Sequence, residues 1–423
     1  MSEAREPAID VATYREQARA WLEANMERAD PGAVRIRGVD HKTRESIEPE
    51  RALQRKLYEA GYAGIAWPAE YGGQGLSRAH EAAFDAEAAH FRTADFGIVG
   101  GTTFGVCANT MLAHASPEFL RRHVPRILAG EELFCQLFSE PGAGSDLAGI
   151  TTRATRDGDR WVLNGSKVWS SGAYYADWGM CLARTNWDVP KHRGLTWFAV
   201  PLDLPGVTVQ EIREINGDTE FCQEFLDDVV ISDDDRIGEV DQGWTVTQTM
   251  LVLERGGDRR PEPPGDEVRR PLRFVPELVA LAERVERQRD PVARQLLARV
   301  HTYNYVQAQL GRRVAQLIGA DPKNAAGIAA YGKLAAGTFD PIRARLAMEL
   351  GGGAAVAWDD GNLEEQRTSL DYLNSRIMSI AGGTNEMQRN AVGERVLGLP
   401  REPSFDTNKP FTQVLHDAAN WQS

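Results

Sequence analysis

The sequence predicts an α+β chain in which helical segments flank a central run of short strands. Three observations carry this: apolar residues recur at helical spacing up to about residue 130, short β-rich runs fill 133–240, and helical spacing returns from Gly243. With 423 residues, 42% of them hydrophobic, the chain is long enough for two to four domains with real cores, and a wholly disordered chain is excluded.

The first helical stretch begins at Asp10, where Val11, Tyr14, Ala18, Trp21, Leu22 and Met26 mark one face; Leu53, Leu57 and Tyr58 mark a second. Between the helices, Trp67-Pro68-Ala69-Glu70-Tyr71-Gly72-Gly73-Gln74-Gly75 predicts a structured turn. In the central run, Asn164-Gly165 stands between two apolar runs and predicts a tight hairpin, because Asn-Gly supplies the positive φ angles such a turn needs. Leu195–Val200 and Val207–Val209 read as further strands and Ser232–Asp235 as a turn, so the segment is expected to be antiparallel. Helical spacing then runs through Trp244, Val246, Met250, Leu251 and Leu253, and continues over Pro276–Val285, Pro291–Gly319, Ala325–Leu350 and Glu386–Leu397. The Gly- and Pro-rich stretch 256–271 interrupts it. The expected units are 1–132, 133–240 and 241–400, with a polar tail over 401–423.

The charge balance, 48 Lys and Arg against 61 Asp and Glu, gives a net −13 and offers no basic block for a nucleic-acid backbone. An anionic ligand must therefore be met by placed arginines, backbone N–H groups and helix N-termini. Cys107, Cys135, Cys181 and Cys222 are scattered without a Cys-x-x-Cys pair, so a reduced protein with no metal site is expected. The N-terminus has neither a signal-peptide nor a transit pattern, and no apolar run approaches a membrane span, so a cytoplasmic location is expected. No strand leads into Gly-x-Gly-x-x-Gly, which argues against a Rossmann nucleotide site.

Two segments invite chemistry. In Ser139-Glu140-Pro141-Gly142-Ala143-Gly144-Ser145-Asp146, two glycines expose backbone N–H groups and two serines add hydroxyls, which suits a pyrophosphate or a ring edge as well as a plain surface turn. In Trp169-Ser170-Ser171, a large aromatic beside small hydroxyls suits either the wall of a planar cofactor or the protein core.

These segments, with Trp67-Pro68, Tyr71-Gly72-Gly73, Asn164-Gly165-x-Lys167-x-Trp169, Ala183-Arg184-Thr185, Gly382-Gly383-Thr384-x-Glu386-x-Gln388-Arg389-Asn390 and Glu394-Arg395-x-Leu397-Gly398-Leu399-Pro400, resemble the acyl-CoA dehydrogenase family in collinear order over nearly the whole chain. The resemblance implies an N-terminal helical domain, a middle antiparallel β-barrel and a C-terminal four-helix bundle, with FAD held between the last two. It places Ser139, Gly144 and Ser145 in the loop that meets the flavin and its phosphates, with Ser145 also facing substrate. Trp169 and Ser171 then flank the isoalloxazine. Thr384 and Glu386 fall in the segment touching the adenosine half, and Arg284 takes the place of the arginine on the FAD pyrophosphate.

The family reaction takes a proton from Cα and a hydride from Cβ of an acyl thioester, so it needs a carboxylate base and donors to the thioester oxygen. Most members place a Glu immediately before Gly-Thr in the C-terminal motif; here that residue is Gly382. A second family solution puts the base in a Glu-Arg pair on the helix after the β domain, which Glu254-Arg255 matches. Glu254 would lie in that helix's last turn, ended by Gly256-Gly257, where the negative end of the dipole and burial both raise a carboxylate pKa. Arg255 then reads as an anion partner for substrate or as an internal pair orienting the helix. Glu349 and Glu140 read as structural, and Asp146 as a cap on a turn or helix start.

Met348 stands where the family has a Gln that contacts FAD across a subunit boundary, which leaves room for a heterotetramer with a second such subunit beside a homodimer or homotetramer. A base on the other helix and no side chain at Gly382 would open the pocket beside Cβ to a branched, cyclic or steroidal acyl group. The expected activity is FAD-dependent α,β-dehydrogenation of an acyl-CoA to the trans-2-enoyl-CoA, with electrons passed to an electron-transfer flavoprotein. A silent FAD- or acyl-CoA-binding subunit and a flavin oxidase on the same fold are the alternatives.

Overall fold

A computed structural model describes residues 9–30, 41–254, 275–357, 359, 362–404 and 406–420. Asp10 caps α1 (Val11–Asn25) by accepting from the Ala12 and Thr13 amides. With α2 (Glu48–Glu59) and α3 (Arg78–Ala88), this helix packs around Tyr14, Ala18, Leu22, Leu57 and Phe84. The Trp67–Gly75 segment forms a 3-10 turn at Ala69–Tyr71. Next come α4 (Gly97–Gly100), a π-helical turn over Gly101–Cys107, α5 (Ala108–His114) and α6 (Pro117–Leu128).

The central strands are β1 (Phe134–Leu137), β2 (Arg153–Asp157), β3 (Arg160–Ser171), β4 (Trp178–Arg184), β5 (Leu195–Pro201), β6 (Val207–Glu211), β7 (Phe221–Ser232) and β8 (Arg236–Ile237). They form one sheet in the order β6-β7-β3-β2-β4-β5-β8, and β1 joins at β4. Most pairings are antiparallel, but β1 runs parallel to β4, as does β2 where Arg153 faces Arg184.

The hairpin expected at Asn164-Gly165 is not there. β3 runs straight through the pair, and the chain reverses earlier, between Asp157 and Arg160. The positive φ signal is real but serves a different purpose: Gly165 has φ +152° at a register shift against β7, and a Cβ there would stand 2.7 Å from Thr152 Cα. Asn164 exchanges two hydrogen bonds of 3.0 Å with Asp228 across the same bulge.

One core joins the sheet to α5, α6 and the next helix through Met111, Phe119, Ile127, Phe134, Trp197, Val246 and Met250. A second lies around Cys135, Leu137, Trp161, Leu163, Phe198 and Val200. The C-terminal part contains α7 (Gly243–Glu254), α8 (Pro276–Arg284), α9 (Pro291–Ala320), α10 (Ala325–Gly351), α11 (Leu363–Asn374), α12 (Ile377–Ile380) and α13 (Asn385–Ala391). The spacing reading has no counterpart for α11, because its buried face carries Thr368 and Ser369 beside Leu370. The chain after Pro400, expected to be a polar tail, forms α14 (Phe411–Asn420) docked on the sheet. There Phe411 is buried 3.7 Å from the Arg184 guanidinium, and its amide donates to Val189 O at 3.0 Å.

Candidate active site

β1 leads into the 139–146 loop, which is pinned from below. Glu140 is buried and accepts from the Thr151 amide (2.7 Å), the Thr152 amide (2.8 Å) and Lys167 Nζ (3.0 Å). Burial alone would raise its carboxyl, but the Lys167 charge and these donors outweigh it and hold the carboxyl below its ordinary value. Glu140 is therefore the loop's anchor, as a structural reading expects. Lys167, itself fully buried, also donates to Phe138 O at 3.1 Å.

With its base fixed, the loop leaves Gly144 and Ser145 exposed, and no atom lies within 4 Å of a Cβ built at Gly142 or Gly144. Asp146 does not cap the following 3-10 turn with its side chain. Its carboxylate instead holds Lys191 Nζ at 2.9 Å through both oxygens, and the same ammonium reaches Asp406 at 2.6 Å.

Beside this loop, Ser139 O accepts from the Val168 amide at 2.9 Å. The next residue, Trp169, is an extra residue in the β3–β7 register, has φ +68° and is 58% exposed. A left-handed tryptophan is a strained conformation of the kind stored at functional sites. It is not a core residue: its ring lies perpendicular to that of Phe221 at 5.8 Å and is largely exposed, and Ser171 is half-buried two residues on.

The second half of the site is built on α7. Trp197 Nε1 donates at 3.0 Å to Gly243 O and to Thr247 Oγ1, fixing the helix start. The π-helical turn packs on α7, and Thr103 within it exchanges hydrogen bonds with Phe134 of β1 (3.1 and 2.9 Å). Glu254, the last described residue of α7, is half-buried, and burial together with its nearby charge pushes the Cys107 thiol up.

Gly382 meets Glu254 from the other side. It sits at φ +64° in a turn held by Gln388, whose buried amide donates to Gly382 O (3.2 Å) and Gly383 O (3.0 Å). A Cβ built on Gly382 would stand 3.7 Å from Glu254 Oε1 and 3.2 Å from Lys333 Cε. The carboxylate therefore occupies the neighbourhood into which a side chain at 382 would project. Lys333 Nζ donates to Met378 O, tying α10 to α12, which leads into this turn.

Thr384 caps α13 by accepting from the Met387 amide at 3.2 Å, and Glu386 pairs with Arg389 on the surface. Arg284 ends α8 and lines a cavity of about 500 Å³ with Glu277, Arg343, Arg367 and Asp371. No residue of the 139–146 loop lines that cavity, so within one chain Arg284 is not brought to the loop. Arg255 and the stretch 256–271 lie outside the described residues.

Family models for the acyl-CoA dehydrogenase N-terminal, middle and C-terminal domains match residues 11–131, 135–229 and 267–397. Acyl-CoA dehydrogenase IpdE1 of Mycobacterium tuberculosis is 38% identical, covering 93% of this chain and 99% of the relative. This chain belongs to the acyl-CoA dehydrogenase family.

Acyl-CoA dehydrogenase FadE34 of the same organism is also 38% identical, over 84% of this chain and 47% of its own length. Among solved structures, the Tcur3481-Tcur3483 steroid ACAD is similar at TM-score 0.70 and 26% identity, covering 94% and 99% of the two chains. The ChsE4-ChsE5 complex from Mycobacterium tuberculosis is similar at TM-score 0.67 and 28% identity, covering 95% and 100%. Acyl-CoA dehydrogenases are FAD-dependent oxidoreductases acting on CH–CH bonds, and FAD is the cofactor here.

The residues fit a flavin. Trp169 offers an exposed aromatic ring, the 139–146 loop offers uncovered backbone, and Gln136 Nε2 on β1 is buried with no protein partner among the described residues. A buried amide donor left without a partner is costly unless a ligand meets it. Sequence reasoning passed over Gln136, Lys333 and Gln388 as sites. Gln388 lies inside a quoted motif and was open to suspicion; the other two carry no local signal.

Proposed function

We propose that this acyl-CoA dehydrogenase oxidises the Cα–Cβ bond of a bulky acyl-CoA thioester, with Glu254 as the base. The observation that carries the reading is the 3.7 Å separation between Glu254 Oε1 and the Cβ position of residue 382. A carboxylate entering from α7 thus stands beside the place where most family members supply one from the C-terminal motif. Glu254 takes the proton from Cα and keeps it on a carboxyl oxygen, and the electron pair left behind forms the new double bond as Cβ gives up its hydride. FAD, when bound, supplies the hydride acceptor. Trp169 and Ser171 wall the cofactor, Ser139, Gly144 and Ser145 meet it along the loop, and Thr384 and Glu386 lie on its adenosine side. Arg255 serves as an anion partner for substrate or as a pair that orients α7.

Bulk is favoured by the absence of any side chain at Gly382 beside the carboxylate, and by the likeness to the Tcur3481-Tcur3483 steroid ACAD. The product is the trans-2-enoyl-CoA, and an electron-transfer flavoprotein takes the electrons. Arg284 reaches a flavin only in an assembly, where it meets the pyrophosphate held by another subunit. Support for an assembly comes from α9: beyond Val300 none of its residues is buried, and Tyr305 and Val306 are exposed. Met348, together with the likeness to the ChsE4-ChsE5 complex, favours a second, different subunit.

The test is anaerobic mixing of the FAD-loaded protein with straight-chain, branched and steroidal CoA esters while flavin absorbance is followed. Bleaching is expected to be fastest with a branched or steroidal ester. Bleaching by straight-chain esters alone would contradict the substrate reading, and none by any ester, in protein holding one FAD per chain, would contradict the activity.

A further inference from the structure

Behind Trp169 lies a buried acid that the reaction does not use. β3 and β7 pair Lys167 with Glu224 and Val168 with Gln223, then skip Trp169 and resume with Ser170 opposite Cys222. The skipped residue reverses the alternation of the strand: Lys167 and Ser170 both turn inward, while Trp169 is thrown outward. Ser170 Oγ donates to Glu224 Oε2 at 2.8 Å, and Glu224 is fully buried, with Oε1 lacking a partner among the described residues. Lys167 does not neutralise it, since its ammonium is turned toward Glu140 and Phe138 O.

A carboxyl here is expensive. Burial pushes Glu224 up to about 8, outweighing the Ser170 hydrogen bond, its own backbone amide and the Lys167 charge, which all act the other way. Packing alone would favour an apolar residue, so the acid needs another reason to be present. The bulge supplies one: a tryptophan at φ +68° is a strained state that persists only if its neighbours fix it, and the Ser170–Glu224 hydrogen bond fixes the residue next to it, beside the Trp169–Phe221 ring contact.

We propose that Glu224 is a positioning residue, acting through Ser170 to lock the bulge that turns Trp169 toward the cofactor. The inference rests on the reading of Trp169 as a cofactor wall. The other titratable groups around Glu224 are Lys167 on β3, Cys135 on β1, Cys181 on β4, Cys222 on β7 and Glu211 on β6, the last paired in register with Cys222. Burial raises Cys181 to about 11, Cys222 to about 12 and Cys135 well above its ordinary value, so no thiol ionises alongside Glu224.

The experiment titrates FAD into full-length apoprotein between pH 6 and 9.5, for wild type, Glu224→Gln, Glu224→Ala and the milder Ser170→Ala. It follows flavin absorbance and also the Trp169 emission, obtained as the difference between each protein and its Trp169→Phe counterpart. Glu224→Ala and Ser170→Ala are expected to weaken FAD binding about tenfold or more and to shift the Trp169 emission. Glu224→Gln, whose amide oxygen still accepts from Ser170, is expected to restore both. Unchanged affinity and Trp169 emission in Ser170→Ala and Glu224→Ala would overturn the proposal. If Trp169→Phe itself binds FAD like wild type, the wall reading fails, and Trp169 emission in the apoprotein still decides whether Glu224 sets the bulge.

Discussion

Replacing Gly382 by alanine perturbs both the fold and the pocket by amounts that can be worked out. The residue sits at φ +64°, where a Cβ costs roughly 1–2 kcal/mol. Removing glycine's freedom from the unfolded chain offsets about 0.4–1 kcal/mol of that. The new methyl would meet Lys333 Cε at 3.2 Å, a contact the flexible end of a lysine can relieve, and Glu254 Oε1 at 3.7 Å, an ordinary contact. The net loss is therefore about 1 kcal/mol, visible as a lower denaturant midpoint at unchanged slope. The functional effect is steric: a methyl beside the carboxylate narrows the space next to Cβ. A cost of about 1 kcal/mol there lowers kcat/KM for a bulky ester about fivefold, with a smaller change for a short straight one. An Ala variant as stable as wild type would show that position 382 is not held left-handed. Equal losses for bulky and short esters would show that the position does not face the acyl group.

Further outcomes follow from the same contacts. Gln388→Ala removes both donors to the Gly382-Gly383 carbonyls and should cost about 2–3 kcal/mol, read from denaturant midpoints; a loss below 0.5 kcal/mol would mean water replaces them. Phe411→Ala opens the cover over Arg184 and should destabilise by about 3–5 kcal/mol, with faster exchange of the amides at positions 411 and 412, which donate to Val189 O and Trp187 O; an unchanged melting curve would show that α14 adds nothing. Glu224 sets a pH dependence. Its carboxyl is raised from 4.5 to about 8 by burial, so its contribution to stability is full below 4.5 and is lost as pH climbs toward 8. Glu224→Gln should therefore gain on wild type by a few kcal/mol between pH 5 and 8 and level off above; parallel curves would exclude that ionisation.

Much of this was open to reading in the sequence, and what was not has local causes. Helices α7 to α10 follow the apolar spacing in their extent, although α9 beyond Val300 has no buried residue within the chain. Asn164-Gly165 misleads because the pair signals positive φ and nothing more; the approach of Thr152 to Gly165, a contact across the sheet, makes it a mid-strand bulge. The placement of Glu254 against Gly382 is likewise tertiary. The vacancy at 382 and the Glu-Arg pair are visible in the chain, but that one carboxylate stands beside the other position emerges only when α10, Gln388 and α7 are packed. Glu224 had no signal at all, being one acid among many on a strand, and Asp146 was misplaced because its partner, Lys191, lies 45 positions away.

The central claim is that the proton is taken by Glu254. Glu254→Gln keeps the size of the side chain while removing the base, and its FAD content and absorbance can be checked before any substrate is added. Mixed anaerobically with the best CoA ester, the FAD-loaded variant should bleach at least a thousandfold more slowly than wild type while still binding the ester. Bleaching within tenfold of wild type would place the base elsewhere and contradict the account.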